Sequence, residues 1–399
     1  MNINVVSRKI LILTTVNFLY CLGIYISLPI LALHFNLDFG LSFIQIGILL
    51  GTAPIVSGFL GFMGASVSEK LGVINSLIVG LLLLVFPYLC YAYVADFTIL
   101  FLMCLVQGIS RIFWEPVIKY LFTFHAKESN SQDIVFRLKY CTICLGAIVG
   151  PLIGNALSTE GKIICVLSSA AVFVLLAVVL FINKTSLDID KEQHSQEKIK
   201  TISELKNCDI RLLFYILANT FVFFVFTQFE TMFSLSLKQF SDNPEKLFSY
   251  LLVLNSISGI LLQFVFIFVS SKMKTINYIM LGNIAFAISF TLFAFSFGQI
   301  ALLAIATVIF TIGEVLVIPG GDIIIDEIAP DEKKTLYFGL AELRLLGFSL
   351  GPIFSGIILE YFGSSIMFLF STIIILLANA LYYAPQFLKS RKNIAAKSI

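Results

Sequence analysis

The sequence predicts an all-α membrane protein of twelve transmembrane helices in two six-helix pseudo-repeats, with N- and C-termini cytoplasmic. Three observations carry that prediction. The first is composition: 59% of the 399 residues are hydrophobic and 13% charged, at a mean hydropathy of +0.99. A water-soluble domain is nearer half apolar and a quarter charged, so the excess needs a bilayer as its solvent. The second is that the apolar residues gather into twelve runs, each reaching the ~20 residues that a helix needs to cross the hydrocarbon core. The third is that one long polar stretch, LDIDKEQHSQEKIKTISELKN, parts six runs from six.

In the first half the runs cover residues 10–34, 42–68, 73–94, 97–122, 134–157 and 162–182. The first is too long for the core of a signal peptide and meets no small-residue cleavage site, so it reads as a retained helix. Pro29, Pro54 and Pro87 add bends, which spans tolerate where neighbouring helices satisfy the freed carbonyls. In the second half the runs cover 211–237, 246–270, 275–297, 299–325, 335–359 and 364–384. The division is therefore 1–183 for one bundle, 184–210 for a cytoplasmic linker, and 211–399 for a second bundle ending in a short basic tail.

Orientation follows from the basic residues, because cations next to spans are retained in the cytoplasm. With the N-terminus inside, 21 of the 26 lie on the inner side, and only Lys162, Lys238 and Lys246 lie on the outer side. Arg111 and Arg344 fall mid-span. Six of the seven cysteines sit in apolar runs, where a thiol behaves as a small hydrophobe. Cys141 and Cys144 have redox or metal spacing, but with no second ligand pair the packing reading is preferred. No phosphate-binding GxxxxGK[ST] loop, zinc spacing or Ser/His/Asp constellation is present, so the reading is of no enzyme, no metal and no cofactor. A net charge of +2 without basic blocks gives no reason to expect a nucleic-acid partner.

The halves repeat each other. Around the fourth and fifth runs the chain reads GISRIFWEPVIKYLF and then CLGAIVGPLIG; around the tenth and eleventh, TIGEVLVIPGGDIII and then LLGFSLGPIFSG. In each copy a mid-helix proline (Pro116, Pro319) precedes a GxxxGPxxG element: Gly146, Gly150, Pro151, Gly154, and Gly347, Gly351, Pro352, Gly356. The offset is 203 residues at the first proline and 201 at the second. Small residues four apart let helices approach closely, and proline bends a helix by removing a backbone donor. Plain close packing is the alternative reading of these glycines.

With these elements the whole chain resembles the major facilitator superfamily. The GxxxGPxxG element of the fifth run is similar to that family's antiporter motif, which implies an exporter of the twelve-helix drug:proton branch. Between the second and third runs, Glu69, Lys70 and Gly72 keep the acid–base–glycine centre of another family motif, while Ala65, Val73 and Ile74 depart from its flanks. The resemblance implies a cytoplasmic latch there; a solvated turn is the alternative. The family's helix-four motif is altered too: Gln107 and Gly108 fit, and Cys104 stands at the arginine position.

An ionisable group inside a span costs about 2.5–3.5 kcal/mol even on the lenient insertion scale, so each one asks for a partner, a wet cavity or a function. Arg111 and Glu115 stand four apart and neutralise each other on one helix face, a structural pair or a functional one. Glu314 occupies Arg111's place in the second half, five residues before the proline. Glu230, Glu342 and Arg344 complete the set, whereas Asp322 and Asp326 read as meeting water. Glu230 and Glu314 have no cation one turn away in sequence, and a carboxyl withdrawn from water holds a proton more readily, as proton coupling requires. Asn17, Tyr20, Tyr25, Gln107, Trp114, Asn219, Gln228 and Asn255 are candidates to line the cavity. His34, at a helix end, reads as solvated. The resulting expectation is a monomeric carrier in the cell membrane, using protons to move a small polar or amphiphilic solute outward. The alternatives are a proton-coupled importer of a sugar, peptide or organic acid, and a membrane receptor or scaffold that transports nothing.

Overall fold

The computed structural model describes residues 8–60, 71–128, 132–187, 209–270, 272–296, 298–330, 337 and 340–395. Among the described residues, twelve helices are long and apolar enough to cross a bilayer. They are α1 (Arg8–Leu37), α2 (Phe43–Leu60), α3 (Val73–Tyr93), α4 (Phe97–Glu128), α5 (Gln132–Ser158), α6 (Lys162–Ile182), α7 (Ile210–Thr231), α8 (Pro244–Ser270), α9 (Thr275–Phe295), α10 (Ile300–Ile328), α11 (Leu346–Phe362) and α12 (Ser364–Ala395). The helical form is forced, because in hydrocarbon every backbone donor must be satisfied within its own segment. Several runs differ from their predicted extent: α4 continues to Glu128 instead of 122, and α12 to Ala395 instead of 384. The seventh breaks at Met232 into a separate short helix, Phe233–Leu237, and α11 is entered through a 3-10 turn, Glu342–Leu345.

Large apolar residues lie on the outer surface as well as in the core, and small polar residues are buried between helices. Phe86, Leu175 and Leu261 are exposed in mid-helix, whereas Ser169, Asn283, Ser289 and Thr307 are wholly buried. Lipid is as apolar as a leucine side chain, so apolar residues lose nothing by facing outward, and small or hydroxylated residues mediate helix contact.

The chain forms two compact units. One contains Met1–Glu197 with Glu230–Ile257, the other Lys198–Phe229 with Ser258–Ile399. In the first, α1 runs against α5 and α6, α3 against α4 and α6, and α2 against α4. In the second, α9 packs on α10 and α12, and α11 on α12. The pairings α3–α4 and α3–α6 thus recur six helices later as α9–α10 and α9–α12. Glycines make the first recurrence possible. A Cβ on Gly80 of α3 would lie 2.9 Å from Phe113 Cβ of α4, and one on Gly282 of α9 would lie 2.6 Å from Val317 Cγ2 of α10. The two glycines are 202 residues apart, a third match in the repeat.

Candidate functional site

Helix α4 carries Arg111 and Glu115 one turn apart. Arg111 Nε and Glu115 Oε1 are 3.9 Å apart, with side chains 28% and 44% exposed. Arg111 also lies within electrostatic reach of Tyr20 on α1, Tyr88 on α3 and Glu230 at the end of α7. Its side chain is thus partly accessible while residues of three other helices approach it. At that distance and exposure the pair behaves like a surface ion pair, contributing about 0–1 kcal/mol. Its partners are therefore exchangeable at small cost.

Around this pair stands an aromatic wall. Trp114 is 2% exposed and stacks on Tyr20, ring centroids 4.1 Å apart at 15°. Tyr88 meets Phe173 edge-on beside them. Opposite, Tyr25 of α1 donates its hydroxyl to Glu230 Oε1 at 3.3 Å, and Glu230 is half-buried. Tyr25 is held in place by the repeat element of α5. A Cβ on Gly150 would lie 2.6 Å from Tyr25 Cβ, one on Gly146 would lie 2.6 Å from Cys21 Cβ, and one on Gly154 would fall on the Ile26 carbonyl oxygen. Pro151 sits among them, inside α5. The glycines seat α1, and α1 in turn presents Tyr25 to Glu230.

The second copy has the corresponding partners. A Cβ on Gly351 of α11 would lie 2.6 Å from the Phe224 carbonyl oxygen of α7, and one on Gly347 would lie 2.7 Å from Phe224 N. Pro352 and Gly356 are buried in the same helix. So α5 closes on α1, and α11 closes on α7, each through its own GxxxGPxxG face.

Several expected cavity residues make contacts with neighbouring helices. Asn17 is buried and donates to Thr142 Oγ1 at 2.8 Å, tying α1 to α5. Gln107 accepts the Tyr91 hydroxyl at 2.9 Å, joining α4 to α3. Gln228 is wholly buried in the second unit and accepts from Ser371 of α12 at 2.5 Å. Trp114 serves as the stacking partner of Tyr20 and is not an open surface. The contacts of Asn17, Gln107 and Gln228 lie on neighbouring helices, which local sequence does not reveal.

Arg344 also differs from its expected mid-span position. It stands in the 3-10 turn before α11, 11% exposed, with Nη1 2.5 Å from Asp322 Oδ1 and Nη2 3.6 Å from Glu342 Oε1. Its guanidinium carbon lies 5.3 Å from the centre of the Phe223 ring, a cation–π distance. Asp322, expected to meet water alone, is the stronger partner of Arg344. Glu314 is half-buried in the middle of α10. Gly72 takes φ +87° ahead of α3, a conformation that favours glycine, whereas Glu69 and Lys70 lie outside the described residues. His34 is not solvated: its side chain is fully buried.

The second unit also holds a cavity of about 330 Å³ near helix ends, lined by Arg211, Tyr215, Lys274, Thr275 and Glu327 among others. Its charges are largely satisfied from within. Arg211 Nε donates to Asp209 at 2.7 Å, and the Thr275 hydroxyl donates to Glu327.

Comparison with known proteins agrees with this architecture. The Major Facilitator Superfamily profile matches residues 13–279 and 232–398. An uncharacterized MFS-type transporter, YqjV of Bacillus subtilis, is 26% identical over 351 residues, covering 85% of this chain and 83% of its own. The multidrug resistance protein MdtH of Photorhabdus laumondii is 23% identical over 340 residues, covering 84% and 82%. Among solved structures, a point mutant of the nucleoside transporter NupG superposes with a TM-score of 0.80 at 17% identity, over 94% of this chain and 99% of that one. A point mutant of the peptide transporter POT gives 0.79 at 15%, over 95% of each.

Proposed function

The chain belongs to the Major Facilitator Superfamily, and from that membership we propose that it is a secondary active transporter exporting a small polar or amphiphilic organic solute in exchange for protons. The observation that carries this reading is the Arg111–Glu115–Glu230 group, three partly exposed ionisable side chains near one another within one unit. Such groups at membrane depth are costly, and they persist where water, a solute or a proton makes use of them. One cation beside two carboxylates offers complementary contacts to a solute that carries both charges, or to a cation. The GxxxGPxxG faces support movement of packed helices against one another, and the multidrug-resistance relatives support export. NupG and the POT transporter share the fold, which leaves solute and direction to the site itself.

In this scheme Glu230 and Glu314 exchange the proton while Arg111 orients the solute. A carboxylate held by a tyrosine hydroxyl, with an arginine in reach, has two states that differ by one proton and one contact. Alternation between them links proton release to solute binding. The test is efflux from everted membrane vesicles under an imposed pH gradient. Glu230→Gln and Glu314→Gln are each expected to insert normally and to lower proton-driven flux roughly tenfold or more, the scale of losing a general acid–base group. Unchanged pH-driven flux in both variants would remove proton coupling from these carboxylates. Uptake that runs with the proton gradient would replace export by import.

A further inference from the structure

Both ring nitrogens of His34 face atoms that accept hydrogen bonds. Nδ1 lies 2.6 Å from Asp38 Oδ2, and Nε2 lies 3.1 Å from the backbone carbonyl oxygen of Tyr91 on α3. A carbonyl oxygen only accepts, so Nε2 carries a hydrogen. Asp38 is partly exposed, and an ion pair of its other oxygen with Lys162 Nζ at 3.1 Å favours the carboxylate. Partial burial acts to raise the Asp38 carboxyl, but hydrogen bonds from His34 and Lys162 outweigh it and keep the group below the usual carboxylate range. A carboxylate also only accepts, so Nδ1 carries a hydrogen as well. A neutral imidazole has one N–H; only the imidazolium has two.

We propose that His34 is a proton-binding site: an imidazolium whose resident proton ties the end of α1 to α3 and, through Asp38, to α6. The side chain is 0% exposed, and a buried charge persists only when it is paired and hydrogen-bonded. That condition is met here through both nitrogens. The ionisable groups facing the ring or its partner are Asp38 at the end of α1, Tyr91 of α3 and Lys162 of α6; Phe35 and Phe39 enclose the ring. The Tyr91 hydroxyl is turned to Gln107 and Cys104 of α4, so the ring meets only its main-chain carbonyl.

With both ring nitrogens protonated both links exist; a neutral ring would leave one nitrogen pointing a lone pair at an oxygen, either that of Asp38 or that of Tyr91. This site stands apart from the Arg111–Glu230 group. Its place on the proton-entry face rests on the orientation and the exchange proposed above, but the protonation state of the ring does not.

The full-length protein in lipid nanodiscs, labelled with 15N-histidine, tests the proposal directly. The chain has three histidines (His34, His125 and His194), so His125→Asn and His194→Asn assign the His34 signals without disturbing the site. At pH 6 both His34 ring nitrogens are expected at imidazolium shifts, and Asp38→Asn is expected to convert the ring to a single neutral tautomer at the same pH. A neutral single tautomer in the wild type at pH 6, or an imidazolium that survives Asp38→Asn unchanged, would overturn the proposal. An imidazolium in a protein that shows no proton-driven flux would support the site and remove only the exchange reading.

Discussion

At the scale of single residues, the Arg111–Glu115 pair separates stability from function. A 3.9 Å pair with both side chains partly exposed contributes about 0–1 kcal/mol, so its loss does not unfold the protein. Arg111→Gln is expected to express and melt within a few degrees of wild type, while solute export falls at least tenfold. Loss of thermal stability in step with loss of export would assign Arg111 a structural role instead. The spacing of these two residues was legible in the sequence, because residues four apart share a helix face. The partners of Arg344 and His34 were not. Asp322 is 22 residues from Arg344, and Tyr91 is 57 from His34. No local periodicity reports contacts of that range, and a histidine at a helix end resembles a solvated one until its neighbours are known.

At the scale of elements, the GxxxGPxxG faces determine how close two helices come. Gly154 has no room for a Cβ against the Ile26 carbonyl, and that backbone atom cannot turn aside as a side chain would. Gly154→Ala is expected to destabilise the α1–α5 pair by about 1–3 kcal/mol, the usual cost of overpacking. Leu152→Ala on the same helix, at a position 42% exposed, is expected to change little. Thermal melts in detergent check both; equal effects would mean that the glycine face is not the contact. The same substitution moves the site, because α1 carries Tyr25 toward Glu230. Motif and site are thus mechanically joined. Sequence located the motif through its repeated spacing, but it did not show that the first copy meets α1 and the second α7. It also passed over Gly80 and Gly282, whose equivalence emerges only from their matching contacts with α4 and α10.

At the scale of the whole molecule, orientation is the property that the basic residues address. Because 21 of 26 cations fall on one side, reporter fusions at both ends are expected to be active only as cytoplasmic reporters. An active periplasmic reporter at either end would reverse the assignment. The number of spans and the repeat between halves were determined by the sequence alone. A bilayer imposes one rule on every segment, about twenty apolar residues closed upon their own hydrogen bonds, and that rule is local. Which charges face one another was decided only by tertiary structure. It brought Tyr25 and Glu230 together across 205 positions of chain, buried Asn17 and Gln228 in helix contacts, and enclosed His34 between Asp38 and Tyr91. Hydrophobicity places a helix in the membrane without specifying its rotation or its neighbours. Close approach at glycines and the pairing of buried polar atoms settle both, and these depend on residues far apart in the chain.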